Sequence, residues 1–198
     1  MQFSSSSNST LRPAPYCLGN GSVFQIAGAA TGLGNGYVTG GLFHLKTSKG
    51  YYVTAEDGGD TRTHDFDRQN PQGSAIRFVT ASGPLGWETF YCNINGSTVT
   101  FQTNDGHYLT AVNGGGSGGI DGDGYEIQTD RTAASTWETF RLVALRGNQC
   151  ALQTYAGTWV SAVNGGNWGS SDAANKYPIH TNATSAGAWE TFTLIPGQ

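Results

Sequence analysis

Apolar and polar residues alternate in short runs along most of this chain. From about residue 43 to residue 196 the alternation has a period of two, the mark of strands with one buried face. Phe43 with Leu45 and Val53 with Ala55 form the first two such pairs. Phe78 marks a third strand, and Phe90 with Cys92 a fourth. The same order then returns twice: Val99/Phe101, Leu109/Ala111, Ile127 and Phe140/Leu142, followed by Cys150/Leu152, Val160/Ala162, Ile179 and Phe192/Leu194. Gly50, Gly106 and Gly157 stand between the first and second strand of each set, where the chain has to turn. No stretch keeps a helical period of 3.6 over three turns, and none approaches the roughly 18 apolar residues of a membrane span.

The pattern is an internal repeat at the level of residue identity. The tetrapeptide WETF occurs at 87–90, 137–140 and 189–192, at spacings of 50 and 52 residues. Upstream of each copy, LKTSKGYYVTAEDGG, FQTNDGHYLTAVNGG and LQTYAGTWVSAVNGG match position by position. Three copies of a four-strand unit predict an all-β chain with twelve strands in three lobes, at about 43–96, 97–148 and 149–198. The architecture that uses them is a β-trefoil: a closed barrel without free sheet edges, capped at one end by hairpins. A four-bladed propeller needs one more repeat, and a solenoid needs capping units. Residues 1–42 fall outside the repeats and read as an extended N-terminal arm.

The composite pattern T…G.YL.A.NGG…A…WETF.L resembles that of the fascin-like β-trefoil domain, across about three-quarters of the chain. It is most similar to the versions attached to β-glucan-active enzymes and to carbohydrate-binding modules of this fold. The resemblance implies a polysaccharide or cell-surface glycan as partner, with a β-glucan as the expected class. It departs from the actin-bundling members in having one trefoil and few basic residues.

Composition narrows the function further. Charged residues make up 12% of the chain and its net charge is −4, with 30 glycines and no Lys/Arg cluster, so nucleic acid is not an expected partner. Three cysteines without CxxC or zinc spacing give no metal or redox motif. Cys92 and Cys150 stand where other repeats have apolar residues and are expected to be buried small hydrophobes. GGGSGG (114–119) lacks the Lys-Ser/Thr of a phosphate loop, His44, His64, His107 and His180 occupy unrelated repeat positions, and Asp121 with Asp123 reads as a solvated turn. No cofactor, metal or catalytic constellation is expected. The N-terminus has neither the charged nor the apolar region of a Sec signal peptide, so sequons at Asn8, Asn20, Asn95 and Asn182 carry little weight. An extracellular or particle-surface location is the expectation. The arm contains Val23, Phe24, Ile26, Tyr37 and Val38, enough to dock a protein partner of a larger assembly, such as a virus particle, or to fold back on its own trefoil.

The candidate site is built from WETF and its surroundings. Phe90, Phe140 and Phe192 belong to the core, while Thr89, Thr139 and Thr191 face away from it. Glu88, Glu138 and Glu190 share the parity of the phenylalanines. They are expected at the rim, either accepting backbone N–H bonds or gripping a sugar hydroxyl. Trp87, Trp137 and Trp189 have the opposite parity, and an indole there either stacks on the C–H face of a pyranose or packs under a loop. Asp57, Asn113 and Asn164 precede Gly-Gly pairs that make a tight turn and admit close approach of a ligand to backbone. Gln128 and His180 are equivalent outward positions, with Val79 in the first lobe, whose site is therefore expected to be weakest. Tyr52, Tyr108 and Trp159 form a further outward aromatic set, with Trp168 in a third-lobe loop.

Overall fold

The computed structural model describes residues 40–60, 76–79, 84–116, 127–167 and 179–197, with 76–79 described by backbone alone. The arm up to residue 39, Cys17, His64, Asp121, Asp123, Trp168 and the side chains of Phe78 and Val79 lie outside the described residues.

The repeats fold into twelve strands: β1 (Gly40–Thr47), β2 (Tyr52–Ala55), β3 (Ile76–Val79), β4 (Phe90–Asn95), β5 (Thr98–Gln102), β6 (Tyr108–Ala111), β7 (Ile127–Arg131), β8 (Phe140–Ala144), β9 (Gln149–Gln153), β10 (Trp159–Ala162), β11 (Ile179–Ala183) and β12 (Phe192–Pro196). β1 begins at Gly40, so 40–42 pair within the barrel rather than belonging to the arm. Antiparallel pairing runs β1–β4–β5–β8–β9–β12 and back to β1, which closes a six-stranded barrel and leaves no exposed edge in it. The other six strands form the hairpins β2–β3, β6–β7 and β10–β11, one per lobe. This is a β-trefoil, as the repeat predicts.

The register puts the predicted inward residues opposite one another. Phe90 faces Phe43, Phe140 faces Val99 and Phe192 faces Cys150; Leu45 faces Leu194, Cys92 faces Phe101 and Leu142 faces Leu152. All twelve are buried. Phe101 lies edge-on to Phe90, with centroids 6.3 Å apart, and 6.1 Å from Phe140, so neighbouring lobes share one apolar cluster. Full burial of each phenylalanine contributes about 1.5–3 kcal/mol. Cys92 and Cys150 are buried thiols within this cluster. Burial, and secondarily the neighbouring Cys150, pushes the Cys92 thiol well above the usual range, which keeps it protonated and apolar.

The space left where the hairpins meet the barrel, lined by residues such as Leu109, Phe140, Leu152 and Phe192, is only about 10 Å³. That holds at most a single water molecule, and its walls are apolar. A ligand therefore has to meet this part of the fold from outside.

Candidate functional site: the rim between the lobes

Two of the four WETF residues, the glutamate and the threonine, serve the turn that contains them. The residue three positions before each glutamate is gripped from both sides. Its N–H donates to the carboxylate: Leu85 to Glu88 Oε2 at 2.8 Å, Ser135 to Glu138 Oε2 at 2.7 Å, and Gly187 to Glu190 Oε2 at 2.7 Å. Its carbonyl accepts the hydroxyl of the motif threonine: Thr89 to Leu85 O at 2.7 Å, Thr139 to Ser135 O at 2.7 Å, and Thr191 to Gly187 O at 2.8 Å. Two charge-assisted or neutral bonds on one residue fix a tight turn before the phenylalanine enters the barrel.

Two of the glutamates, Glu88 and Glu190, also reach the cap hairpins. Thr54 Oγ1 donates to Glu88 Oε1 at 2.9 Å, and Ser161 Oγ donates to Glu190 Oε1. Glu88, Glu138 and Glu190 are all buried. Each carboxylate is thus turned into the protein and engaged there, in the manner of the structural alternative.

The tryptophans remain outside. Trp87, Trp137 and Trp189 are 42%, 37% and 43% exposed, while the Glu and Phe beside them are buried. Their backbone carbonyls help hold the motif to the cap: Ala111 N–H donates to Trp137 O and Ala162 N–H to Trp189 O. Those alanines end β6 and β10, immediately before the Asn-Gly-Gly turns. Each lobe therefore brings its tryptophan turn and its Asx-Gly-Gly turn to the same rim; in the second lobe the Trp137 ring lies directly against Gly114.

Asp57, Asn113 and Asn164 have φ of 54°, 57° and 51°, the left-handed region that Asn and Asp tolerate better than other side chains. The Gly-Gly that follows is approached by the next lobe. A Cβ on Gly59 would overlap Thr103, one on Gly115 would overlap Thr154, and one on Gly166 would crowd Thr47. Those threonines close the β5–β6, β9–β10 and β1–β2 turns. In each, the threonine N–H donates to the carbonyl four residues on, and the turn glycine donates back to the threonine carbonyl. Each lobe leans on the next, and the third leans on the first, where Thr47 Oγ1 donates to Gly165 O at 2.6 Å. The close approach that the glycines permit is that of protein to protein.

Two expected site positions differ from the sequence reading. His180 is buried rather than outward, and Gln128 is half-buried. His180 pairs across the hairpin with Ser161, and Gln128 with Thr110. Directly opposed residues share a face, and that face is covered by the glutamate turn, since Ser161 donates to Glu190. Tyr52 is likewise buried, with the His44 ring edge-on at 6.2 Å and Lys46 Nζ 4.9 Å above its ring. Tyr108 and Trp159 are half-buried.

The three junctions are alike in backbone and different in chemistry. Beside the first glycine of the pair stand Asp105 at the first junction, Tyr155 with Trp137 at the second, and Lys49 with Ser48 at the third. Lys49 Nζ donates to Asn164 Oδ1 at 2.7 Å and Tyr51 Oη to Asn167 Oδ1 at 2.8 Å, so the third junction is tied by side chains. At the second, an open groove of about 510 Å³ runs between the lobes, lined by Thr98, Ser135, Thr136, Thr139, Arg141, Thr154 and Tyr155. Sequence reasoning passed over Arg141 and Tyr155. Their signal was present in the repeats, where Tyr155 stands in place of Ser48 and Asn104, and Arg141 in place of Tyr91 and Thr193.

No family model matches the chain, and no curated protein matches it. Solved structures do. A designed three-fold symmetric protein, ThreeFoil, is 15% identical with a TM-score of 0.55, over 78% of this chain and 97% of its own. The Polyporus squamosus lectin, bound in its structure to the human-type influenza-binding epitope Neu5Acα2-6Galβ1-4GlcNAc, is 11% identical with a TM-score of 0.56. That match covers 81% of this chain, which spans about half the length of the lectin. An exo-β-1,3-galactanase from Clostridium thermocellum is 13% identical with a TM-score of 0.54, over 79% of this chain and 30% of the enzyme. At these identities the likeness is one of fold: the protein is a β-trefoil.

Proposed function

We propose that this protein is a non-catalytic glycan-binding module, with up to three sites on the rim where Trp87, Trp137 and Trp189 stand beside Asp57, Asn113 and Asn164. One observation carries the reading: of four residues repeated identically in three lobes, only tryptophan is left substantially exposed, while Glu and Thr build the turn and Phe enters the core. An exposed indole on a rigid turn offers an apolar face to a pyranose and one N–H to a hydroxyl. Glu88, Glu138 and Glu190 act from beneath by holding that turn, and Gln128 and His180 support the cap. One buried carboxylate per lobe, bonded to its own turn, is unlike the facing pair of a glycosidase. Trefoils of similar fold in a lectin and in a galactan-degrading enzyme support the choice of ligand class, and a polymeric β-glucan is the substrate class we favour. Such a surface suits an extracellular or particle-surface protein.

Three weak sites on one body raise avidity for a polymer by about 10²–10⁴. Replacing Trp87, Trp137 and Trp189 by alanine one at a time, and then together, is expected to lower retention on an immobilised β-glucan by about tenfold per site. Affinity electrophoresis with a melting curve for each variant checks this. Unchanged retention in the triple variant overturns the reading.

A second reading adds an attachment. At the first junction the residues around Trp87 are apolar and exposed: Leu42, Leu85 and Tyr91, with Leu42 directly opposite Tyr91. The other lobes have Thr98, Ser135 and Arg141, or Gln149, Gly187 and Thr193, at these positions. An exposed apolar group on the lobe whose first strand follows residues 1–39 in the chain favours a contact with a protein of a larger particle. A chain beginning at residue 40 is expected to keep its melting temperature and to stay in the supernatant when the particles of its source are sedimented. Attachment retained together with a lowered melting temperature assigns residues 1–39 to covering the trefoil itself.

A further inference from the structure

The groove between the second and third lobes differs from its two counterparts in a way that selects a ligand, and this inference rests on the glycan-binding reading above. We infer that it is a site for an anionic saccharide, one carrying a carboxylate or a sulfate on the sugar ring.

Tyr155 is the aromatic wall of the groove, and Trp137 stands next to it on Gly114, just outside the lining. Tyr155 Cδ1 and Trp137 Cδ1 and Nε1 converge on Gly114, at 3.2, 3.5 and 3.5 Å from where its Cβ would stand. Both rings are open to solvent, Tyr155 at 71%. Gly114 O accepts the Ala156 N–H at 2.8 Å, which locks the third-lobe turn that carries Tyr155 onto the second-lobe Asn-Gly-Gly turn, against which the Trp137 ring lies. A ring on a turn that is bonded to the neighbouring lobe, with a second ring beside it on the same glycine, makes a preorganised stacking surface. The other junctions have Asn104 or Ser48 where this one has Tyr155.

Beside this wall the groove is hydroxyl-rich, with Thr98, Ser135, Thr136, Thr139 and Thr154 along it. The hydroxyls of Thr98 and Thr139 donate to backbone carbonyls of their own turns, to Asn95 O and Ser135 O. A hydroxyl that donates keeps its lone pairs, so these groups accept from sugar hydroxyls.

Among the described residues the charge in the lining is a single guanidinium. Arg141 is exposed on β8, opposite Thr98 on one side and Gln153 on the other. Its Nη1 donates to Gln153 Oε1 at a long 3.4 Å, which commits little of a five-donor fork. Among the described residues the lining contains no carboxylate; Glu138, in the turn beneath, is buried with Oε2 taking the Ser135 N–H. A planar fork beside a stacking surface recognises an oxyanion on a ring bidentately, a geometry that lysine does not reproduce. The first junction has the opposite sign, with the Asp105 carboxylate beside Gly58 and Tyr91 in place of Arg141. At the third, Lys49 is bonded to Asn164 and the position of Arg141 is Thr193.

The test is titration of the full chain with a β-glucan hexasaccharide, its 6-carboxylated form and its 6-sulfated form. Arg141→Gln, Arg141→Lys and Tyr155→Ala are compared with Arg146→Gln, which removes an exposed charge outside the groove. The wild type is expected to bind at least one anionic form about tenfold more tightly than the neutral one, with a preference that shrinks as salt is raised. Arg141→Gln abolishes the preference, Arg141→Lys keeps part of it, Tyr155→Ala weakens all forms, and Arg146→Gln changes nothing. The carboxylated and sulfated arms show which anion the fork prefers. Neutral binding as tight as anionic, or a preference that survives Arg141→Gln or is lost equally in Arg146→Gln, overturns this inference and leaves the glycan-binding function standing. Absence of binding to all three sugars overturns both.

Discussion

Replacing Glu88 by alanine is expected to destabilise the trefoil by about 3 kcal/mol, while replacing the adjacent Trp87 removes about a third as much. The glutamate accepts the Leu85 N–H and the buried Thr54 hydroxyl at once. Its loss strands both donors, at about 1–3 kcal/mol for each buried group left unpaired. In a domain of this size that lowers the melting temperature by about 6–12 °C. Glu190→Ala should match it, because Gly187 and Ser161 lose the same two bonds. Glu88→Gln keeps one acceptor oxygen and falls between. Thermal unfolding of the four variants checks the order. Equal losses for Glu88→Ala and Trp87→Ala would show that the indole belongs to the fold, and would remove the observation on which the glycan-binding proposal stands.

Gly115→Ala is the second large effect, and its neighbour supplies the control. Gly115 and Gly116 both have positive φ, 102° and 90°, so alanine at either carries a backbone penalty of about 1–2 kcal/mol. They differ in what a Cβ meets. At Gly116 there is nothing within 4 Å, whereas at Gly115 the Thr154 side chain of the next lobe occupies the space. Overpacking adds about 1–3 kcal/mol, so Gly115→Ala should lose about twice as much as Gly116→Ala in denaturant titration. The excess isolates how tightly the second lobe seats on the third. Equal losses would mean that the junction yields, and that Tyr155 and Trp137 are not held rigidly on Gly114.

Strand count, strand order and core were legible along the chain because a period of two and a threefold repeat are local signals that survive without knowledge of neighbours. Phe90, Phe140 and Phe192 lie where alternation puts them, opposite Phe43, Val99 and Cys150. Alternation also placed the tryptophans outside. It failed for His180 and Tyr52, which it placed on the outer face correctly but left uncovered. Parity fixes which side of a strand a residue occupies and says nothing about what lies over that side. Here the WETF turn folds down on the hairpin, and its buried glutamate covers Ser161 and His180 on the outer face of β10 and β11.

The glycine pairs show the same division. That each needs an unusual backbone was readable from Asx-Gly-Gly itself. That a threonine about 40 to 50 residues later in the chain, or Thr47 far earlier, fills the space beside it follows only from the closing of three lobes into a ring. The differences that make the junctions chemically distinct were in the repeats as single departures: Asp105, Ala156 and Lys49 at one aligned position, and Tyr91, Arg141 and Thr193 at another. By itself the sequence determined a threefold β chain, its core and its exposed tryptophans, since each depends on residues close together in a repeating pattern. Which departures share a groove was decided by the tertiary structure, because Arg141 and Tyr155 belong to different lobes and meet only where one lobe's turn docks on the next.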